Sequence, residues 1–177
     1  MIRVVVTGSE CTGKTTLARA LADHYDTVWV PEYARRFVLA KGAAPAWEDV
    51  EPIARGQIAL EESRAAGAPD LLIQDTDLLS TVVYSRHYYG ACPGWVEDAA
   101  RDRLADLYLL AGIDVPWSPD GDQRDRGDRR EEMQALFREA LESRSAAAVE
   151  VRGSHAERMT AATRPIDRLL ADSPGHR

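Results

Sequence analysis

The sequence predicts an α/β fold, a doubly wound and mostly parallel five-stranded sheet flanked by helices. Three observations carry that expectation. Short apolar runs of strand length alternate with helix-length amphipathic stretches along the 177-residue chain. The first run, Ile2-Arg3-Val4-Val5-Val6, leads through Gly8-Ser9-Glu10-Cys11-Thr12-Gly13-Lys14-Thr15 into a helix-prone stretch, which is the G-x-x-x-x-G-K-[ST] spacing in its strand–loop–helix setting. A later run, Leu71-Leu72-Ile73-Gln74-Asp75, ends in an acid, the pattern of a strand that carries a carboxylate to the edge of a parallel sheet.

The glycine-bounded loop has a direct physical reading. Phosphate is multiply charged, so holding it takes several amide hydrogens converging on one point, with glycine where a side chain would clash or φ must turn positive. Gly8 and Gly13 supply that freedom, and the following helix adds its positive dipole end. Lys14 can reach β- and γ-phosphates, and the Thr15 hydroxyl is placed to ligate Mg²⁺. Gly8, Ser9, Glu10, Cys11, Thr12, Gly13, Lys14, Thr15 and Thr16 are therefore the candidate binding site for a nucleoside triphosphate. At Cys11 and Thr12 the backbone is expected to matter more than the side chain.

The elements follow in order. After a helix over 15–24, Thr27-Val28-Trp29-Val30 reads as a short buried strand that ends at Pro31-Glu32-Tyr33-Ala34-Arg35-Arg36. In an open parallel sheet this end shares a rim with the phosphate loop, which makes Glu32 and Arg35 candidates for chemistry. Glu32 would equally suit the start of the next helix, where the dipole favours an acid. An amphipathic helix is expected over 47–64, with Gln57 on its apolar stripe, facing either the core or a ligand pocket. The third strand delivers Asp75, a carboxylate suited to holding Mg²⁺ beside Thr15, and Asp77 adds a second acid that also fits a helix start.

A helix over 78–88 turns Leu78, Leu79, Val82 and Val83 inward and carries Tyr84, Tyr88 and Tyr89 near its end, a cluster read as packing, with Tyr88 also a candidate aromatic face beside Tyr33 and Trp117. A break over 90–94, a short helix over 95–104 and a fourth strand over 106–111 follow. Residues 118–130 mix proline, glycine, aspartate and arginine and read as a mobile lid whose arginines could close over a triphosphate. A helix over 131–143, a strand over 147–151, the turn Gly153-Ser154 and a last helix over 156–170 complete the pattern.

Composition narrows the function classes. The chain reads as a single domain over 1–177, with no repeat or low-complexity tract. Its formal charge of -7, from 29 acidic and 22 basic side chains, opposes nucleic-acid binding. No long apolar stretch and no leader pattern stand out, so a cytoplasmic protein without membrane attachment is expected. The two cysteines, Cys11 and Cys92, are too few for a disulfide scaffold or a C-x-x-C metal site.

Together these residues resemble the nicotinamide riboside kinase module of NadR-like proteins, a branch of the P-loop kinases. The resemblance rests on the phosphate loop, Pro31-Glu32-Tyr33-Ala34-Arg35, Ala54-Arg55-Gly56-Gln57, Asp75-Thr76-Asp77, Asp114-Val115-Pro116-Trp117, and Asp120-Gly121 followed by arginines. These blocks span nearly the whole chain in order. The resemblance implies a P-loop NTPase fold and transfer of the γ-phosphoryl group of ATP, with Mg²⁺, to the 5′-hydroxyl of nicotinamide riboside, a step of NAD salvage. It implies catalytic roles for Lys14, Glu32, Arg124 and Arg126, and a metal on Thr15 and Asp75. Glu32, Tyr33, Arg35, Gln57, Asp77 and Trp117 would meet the small-molecule nucleoside, and Gly153 and Ser154 the adenine. Cys11 departs from the small hydroxyl residue common in relatives. The larger relatives carry a nucleotidyltransferase domain ahead of this module, so adenylation is not expected of this chain. The residues also leave open a kinase for another nucleoside, a nucleotide kinase using Arg35-Arg36, and a regulatory ATPase.

Overall fold

The computed structural model describes residues 1–68, 70–115 and 129–173. Five strands, β1 (Ile2–Thr7), β2 (Val28–Val30), β3 (Leu71–Asp75), β4 (Leu107–Ala111) and β5 (Ala148–Val151), form one sheet in the order β2-β3-β1-β4-β5. Every pairing is parallel. This is the doubly wound sheet that the alternating pattern predicts, and each strand lies within a residue or two of its expected position.

Seven α-helices stand among the described residues: α1 (Lys14–His24), α2 (Tyr33–Lys41), α3 (Val50–Ala65), α4 (Leu78–Tyr89), α5 (Gly94–Asp102), α6 (Arg130–Glu142) and α7 (His155–Asp172). The pleat of β1 divides them between two faces. Val4 and Val6 pack with Leu17 and Leu21 of α1 and Ala162 and Ile166 of α7, while Val5 faces Leu79 and Val83 of α4 and Met133 and Phe137 of α6. With Val4, Val5 and Val6 fully buried, β1 reads as an unbroken apolar run because both its faces are covered. A third cluster joins Ala54, Leu78, Val82, Val96 and Ala100 of α3, α4 and α5.

Two boundaries depart from expectation for local reasons. The helix expected over 47–64 starts as a 3-10 turn, Trp47–Asp49, before α3, and the Asp49 carboxylate accepts the Ala46 amide at 2.7 Å. Arg130, expected at the end of a solvated lid, is instead the first residue of α6 and is 8% exposed. The rest of that expected lid up to residue 128, with Arg124 and Arg126, lies outside the described residues, as does Trp117 before it. No described helix is long and apolar enough to cross a membrane.

Candidate active site

The strand order sends the chain to opposite sides of β1, and all five carboxyl ends open on one rim, where parallel α/β sheets bind ligands. The phosphate loop occupies the centre of that rim. Gly8 and Gly13 sit at φ +125° and +79°, as the loop requires, and a Cβ at Gly8 would fall 3.0 Å from the Ala111 carbonyl oxygen. Gly13 is the left-handed N-cap of α1, which has neither a side-chain cap nor an acid in its first turn. Its opening amide groups therefore keep their positive field for an anion.

Side chains hold the loop in shape. The Thr12 hydroxyl donates to the Ser9 carbonyl at 2.8 Å, and Lys14 Nζ donates to the same carbonyl at 2.7 Å. Lys14 is thus folded over its own loop and partly buried. Buried Gln134 of α6 accepts the Ser9 amide at 3.4 Å and donates to the Ala111 carbonyl at 3.1 Å, joining the loop to the end of β4.

Thr15 Oγ1 donates to Asp75 Oδ2 at 2.6 Å, so the two expected metal ligands do meet. Asp75 Oδ1 is buried without a partner among the described residues. Burial raises the Asp75 carboxyl above its ordinary range, against the Thr15 hydrogen bond and the nearby Lys14. An orphaned carboxylate oxygen beside a hydroxyl and a phosphate cradle is a donor set that fits Mg²⁺, which commonly takes one or two protein oxygens and completes its shell with phosphate and water. Among the described residues no larger His, Cys, Asp or Glu cluster could hold a metal.

A cavity of about 600 Å³ opens beside the loop. It is lined by Glu10, Cys11 and Lys14 of the loop, by Glu32 and Arg35, and by Asp77, Ser80, Tyr84 and Tyr88 of the β3–α4 segment. Glu32 is the N-cap residue of α2, but its side chain makes no capping bond and lines the cavity instead. Burial raises its carboxyl above the ordinary range, the neighbouring Lys14 pulls it down, and the charge of Asp75 lifts it. Asp77 unites both readings of its sequence position. One oxygen caps α4 through the Leu79 amide at 3.0 Å, the other accepts the Tyr108 hydroxyl at 2.7 Å, and the residue still lines the cavity. Desolvation pushes Asp77 up to about 6.

The remaining expected contacts fare differently. Tyr33 does not line the cavity: its ring lies over Gly56, where a Cβ would come within 2.1 Å of Tyr33 Cε1. The resemblance places Tyr33 against the nucleoside, whereas here its ring packs on Gly56 of α3. Gln57 borders the cavity, but its oxygen accepts the Tyr33 amide at 2.9 Å and its nitrogen donates to Glu61 at 3.1 Å. Its polar groups are thus engaged within the fold. Buried Glu61 also pairs with Arg103 at 3.4 Å, and desolvation pushes its carboxyl up to about 7. Gly153 and Ser154 lie at the β5–α7 turn on the same rim, where Ser154 accepts the Glu157 amide as a capping-box residue.

Of the tyrosine wall, sequence reasoning offered only Tyr88 as a face and read the cluster otherwise as packing. Tyr84 and Tyr88 stack with ring centroids 6.1 Å apart at 8°, and Tyr88 and Tyr89 lie 6.4 Å apart, so three rings border the cavity. Their i, i+4 spacing was visible but is shared with ordinary packing. Gln134 and Arg158 were missed as well, although each is a polar residue on the inward stripe of an amphipathic helix.

Comparison with known proteins agrees with this geometry. The AAA domain family profile matches residues 3–158. The trifunctional NAD biosynthesis/regulator protein NadR of Escherichia coli (strain K12) is 30% identical over 145 residues, 78% of this chain and 35% of that protein. Its counterpart from Salmonella typhimurium is 28% identical over 122 residues, 67% of this chain and 30% of that protein. The chain thus spans about a third of the length of these curated relatives. Among solved structures, a NadR protein in complex with NAD and AMP-PNP superposes with a TM-score of 0.74 at 23% identity, covering 99% of this chain and 51% of that one. Thymidylate kinase from Ehrlichia chaffeensis superposes with a TM-score of 0.70 at 13% identity, covering 94% of this chain and 98% of that one. The phosphate loop at the centre of a five-stranded parallel sheet and the profile match over most of its length lead to one assignment: the chain belongs to the AAA domain family and has the α/β P-loop NTPase fold.

Proposed function

We propose that the chain is an ATP-dependent nucleoside kinase and that its acceptor is nicotinamide riboside. One observation carries the reading: a single cavity is lined by the phosphate loop, by stacked tyrosines and by the carboxylates of Glu32 and Asp77. Nicotinamide riboside has a fixed positive charge on its pyridinium ring. A cation over an aromatic face gains roughly 0.5–2 kcal/mol, and carboxylates behind the face add to that attraction. Glu32 and Asp77 line the cavity, Glu61 lies behind Gln57, and Lys14 is turned towards the phosphate loop. A solved NadR protein in complex with NR, 24% identical with a TM-score of 0.65, adds support from similarity.

In this reading Lys14 leaves the Ser9 carbonyl for the terminal phosphates of ATP, and the loop amides hold the phosphate oxygens. Glu32 orients the 5′-hydroxyl and takes its proton as the oxygen–phosphorus bond forms. The bond from the γ-phosphorus to the bridging oxygen breaks, and ADP leaves. The raised carboxyl of Glu32 suits a base better than an ordinary surface acid would. Thr15 and Asp75 would hold Mg²⁺, which when bound neutralises charge on the phosphates.

A nucleotide acceptor is the second reading, favoured by Arg35 on the cavity wall and by the likeness to thymidylate kinase. A second phosphate calls for several cations, and Lys14 and Arg35 are the cations among the described lining residues. Incubating the protein with ATP, Mg²⁺ and a panel of nucleosides and nucleoside monophosphates, with ADP release as readout, separates the readings. Release stimulated by nicotinamide riboside supports the first, and stimulation by a monophosphate alone supports the second. Release indifferent to every acceptor identifies an ATPase and rejects both.

A further inference from the structure

A phosphate cradle works only if its amides point inward, and an amide turned inward leaves the neighbouring carbonyls turned outward. Outward carbonyls that are buried need donors of their own. In this loop two consecutive carbonyls, those of Cys11 and Thr12, receive them from two arginines on different helices. Arg130 Nη2 of α6 donates to the Cys11 oxygen at 3.3 Å, and Arg158 Nη1 of α7 donates to the Thr12 oxygen at 2.6 Å. Arg158 Nη1 also lies 4.0 Å from where a Cβ on Gly13 would stand. The guanidinium is therefore packed directly behind the turn of the loop.

Neither arginine behaves like a surface ion-pair residue. Arg158 is 4% exposed and Arg130 is 8% exposed. Arg158 also donates from Nε to the Gly153 carbonyl at 3.0 Å and from Nη2 to the Gly112 carbonyl at 3.1 Å and Asp114 Oδ1 at 2.8 Å. Asp114 Oδ2 in turn accepts the Gly153 amide at 2.6 Å. One guanidinium thus joins the phosphate loop, the end of β4 and the β5–α7 turn. Arg130 Nη1 donates to the Val115 carbonyl at 3.0 Å, and its Nε is buried without a partner among the described residues. Burying a guanidinium is costly, and an apolar residue in the stripe of Ala162 and Ile166 would pack at less cost. Cys11 also takes φ +52°, a strained conformation for a residue with a Cβ, so the loop needs an external hold at this point.

We infer that Arg130 and Arg158 are positioning residues that hold the Cys11 and Thr12 carbonyls outward and so preset the loop amides for a triphosphate. Arg158 carries the larger share, because it makes the shorter bond and ties the loop to the turn beside Gly153. The inference rests on the nucleotide-binding reading but not on the identity of the acceptor.

The test measures Mg²⁺-dependent binding of AMP-PNP and of inorganic tripolyphosphate by calorimetry, on the full chain and on Arg158→Met, Arg158→Lys and Arg130→Met. Methionine keeps the length of the side chain and removes every donor. Arg158→Met is expected to weaken tripolyphosphate binding by about tenfold, the loss of charge-assisted hydrogen bonds. Arg130→Met is expected to weaken it by about threefold, and Arg158→Lys, which keeps the charge on a single donor nitrogen, to fall between the wild type and Arg158→Met. The KM for the acceptor should stay within about twofold of wild type, because the cavity wall is made by other helices. A merely structural role would lower the active fraction and leave the affinity of the folded protein unchanged, and that result overturns the inference. If Arg158→Met does not fold, Arg130→Met decides alone, and wild-type tripolyphosphate affinity in it counts as refutation. A wild type that binds tripolyphosphate but phosphorylates no nucleoside would reject the kinase reading while leaving this inference standing.

Discussion

The two ends of the cavity are built on different principles. At the phosphate end the amides of one contiguous loop lie beside Lys14 and Thr15 of the same motif, and Thr12, Gln134 and Arg158 hydrogen-bond to that loop. At the end proposed for the acceptor the groups are side chains brought together from the start of α2, the β3–α4 turn and α4. A backbone-built site tolerates little variation in spacing and leaves a readable motif. A side-chain-built site leaves isolated residues that look like caps and core.

The largest expected effect lies at the phosphate end. Lys14→Ala should lower turnover by roughly 10²–10³-fold, the scale for removing a charge that acts on the transferring group. Its ammonium donates to a carbonyl of its own loop, so thermal unfolding should change by no more than about 1 kcal/mol. Turnover near the wild-type level would remove the phosphate end from the mechanism.

Glu32→Gln should come next, with kcat falling by roughly 10²-fold and the KM for ATP within about twofold of wild type. Because burial raises the Glu32 carboxyl above 4.5, the wild-type rate should fall with decreasing pH through a limb lying above that value, and the variant should lack this limb. A limb of the same shape in Glu32→Gln would reassign the base.

A smaller effect is expected at the tyrosine wall. Tyr88→Ala should raise the KM for nicotinamide riboside by about fivefold, in keeping with a cation–π contribution of around 1 kcal/mol, and leave the KM for ATP alone. An equal rise in both would mean that the ring packs the helix and does not face the ligand.

How much was legible follows the same division. The strands and most of the helix bounds follow from local periodicity, and the Thr15–Asp75 meeting follows from two motifs that a parallel sheet brings to one rim. Asp77 was ambiguous because one carboxylate both caps α4 and takes the Tyr108 hydroxyl, and sequence reveals only the first of these options. Tyr33 misled because adjacency to Glu32 places it near the rim, while the bare Cα of Gly56 draws its ring onto α3. Arg158 gave a signal that went unused, a charge four residues before Ala162 and eight before Ile166 on a buried stripe.

The smallest effect concerns stability. Glu61 is raised from 4.5 to about 7, first by desolvation and then by the charge of Asp77. A carboxyl with a raised folded-state value binds protons more tightly when folded, so its contribution favours the fold below the unfolded value and is lost as pH rises through about 7. Glu61→Gln should therefore gain stability relative to wild type as pH rises from about 5 to about 8. A constant difference in denaturant midpoints across that range would contradict the desolvated acidic layer behind the cavity.

The central claim is that the acceptor end selects a cation. Its most direct test compares kcat/KM, with ATP and Mg²⁺, for nicotinamide riboside and for its reduced form, which has nearly the same shape but an uncharged ring. The stacked tyrosines and the carboxylates predict a preference for the charged riboside of about tenfold, equivalent to roughly 1.4 kcal/mol. Equal values, or a preference for the reduced riboside, would contradict a cation-selecting cavity.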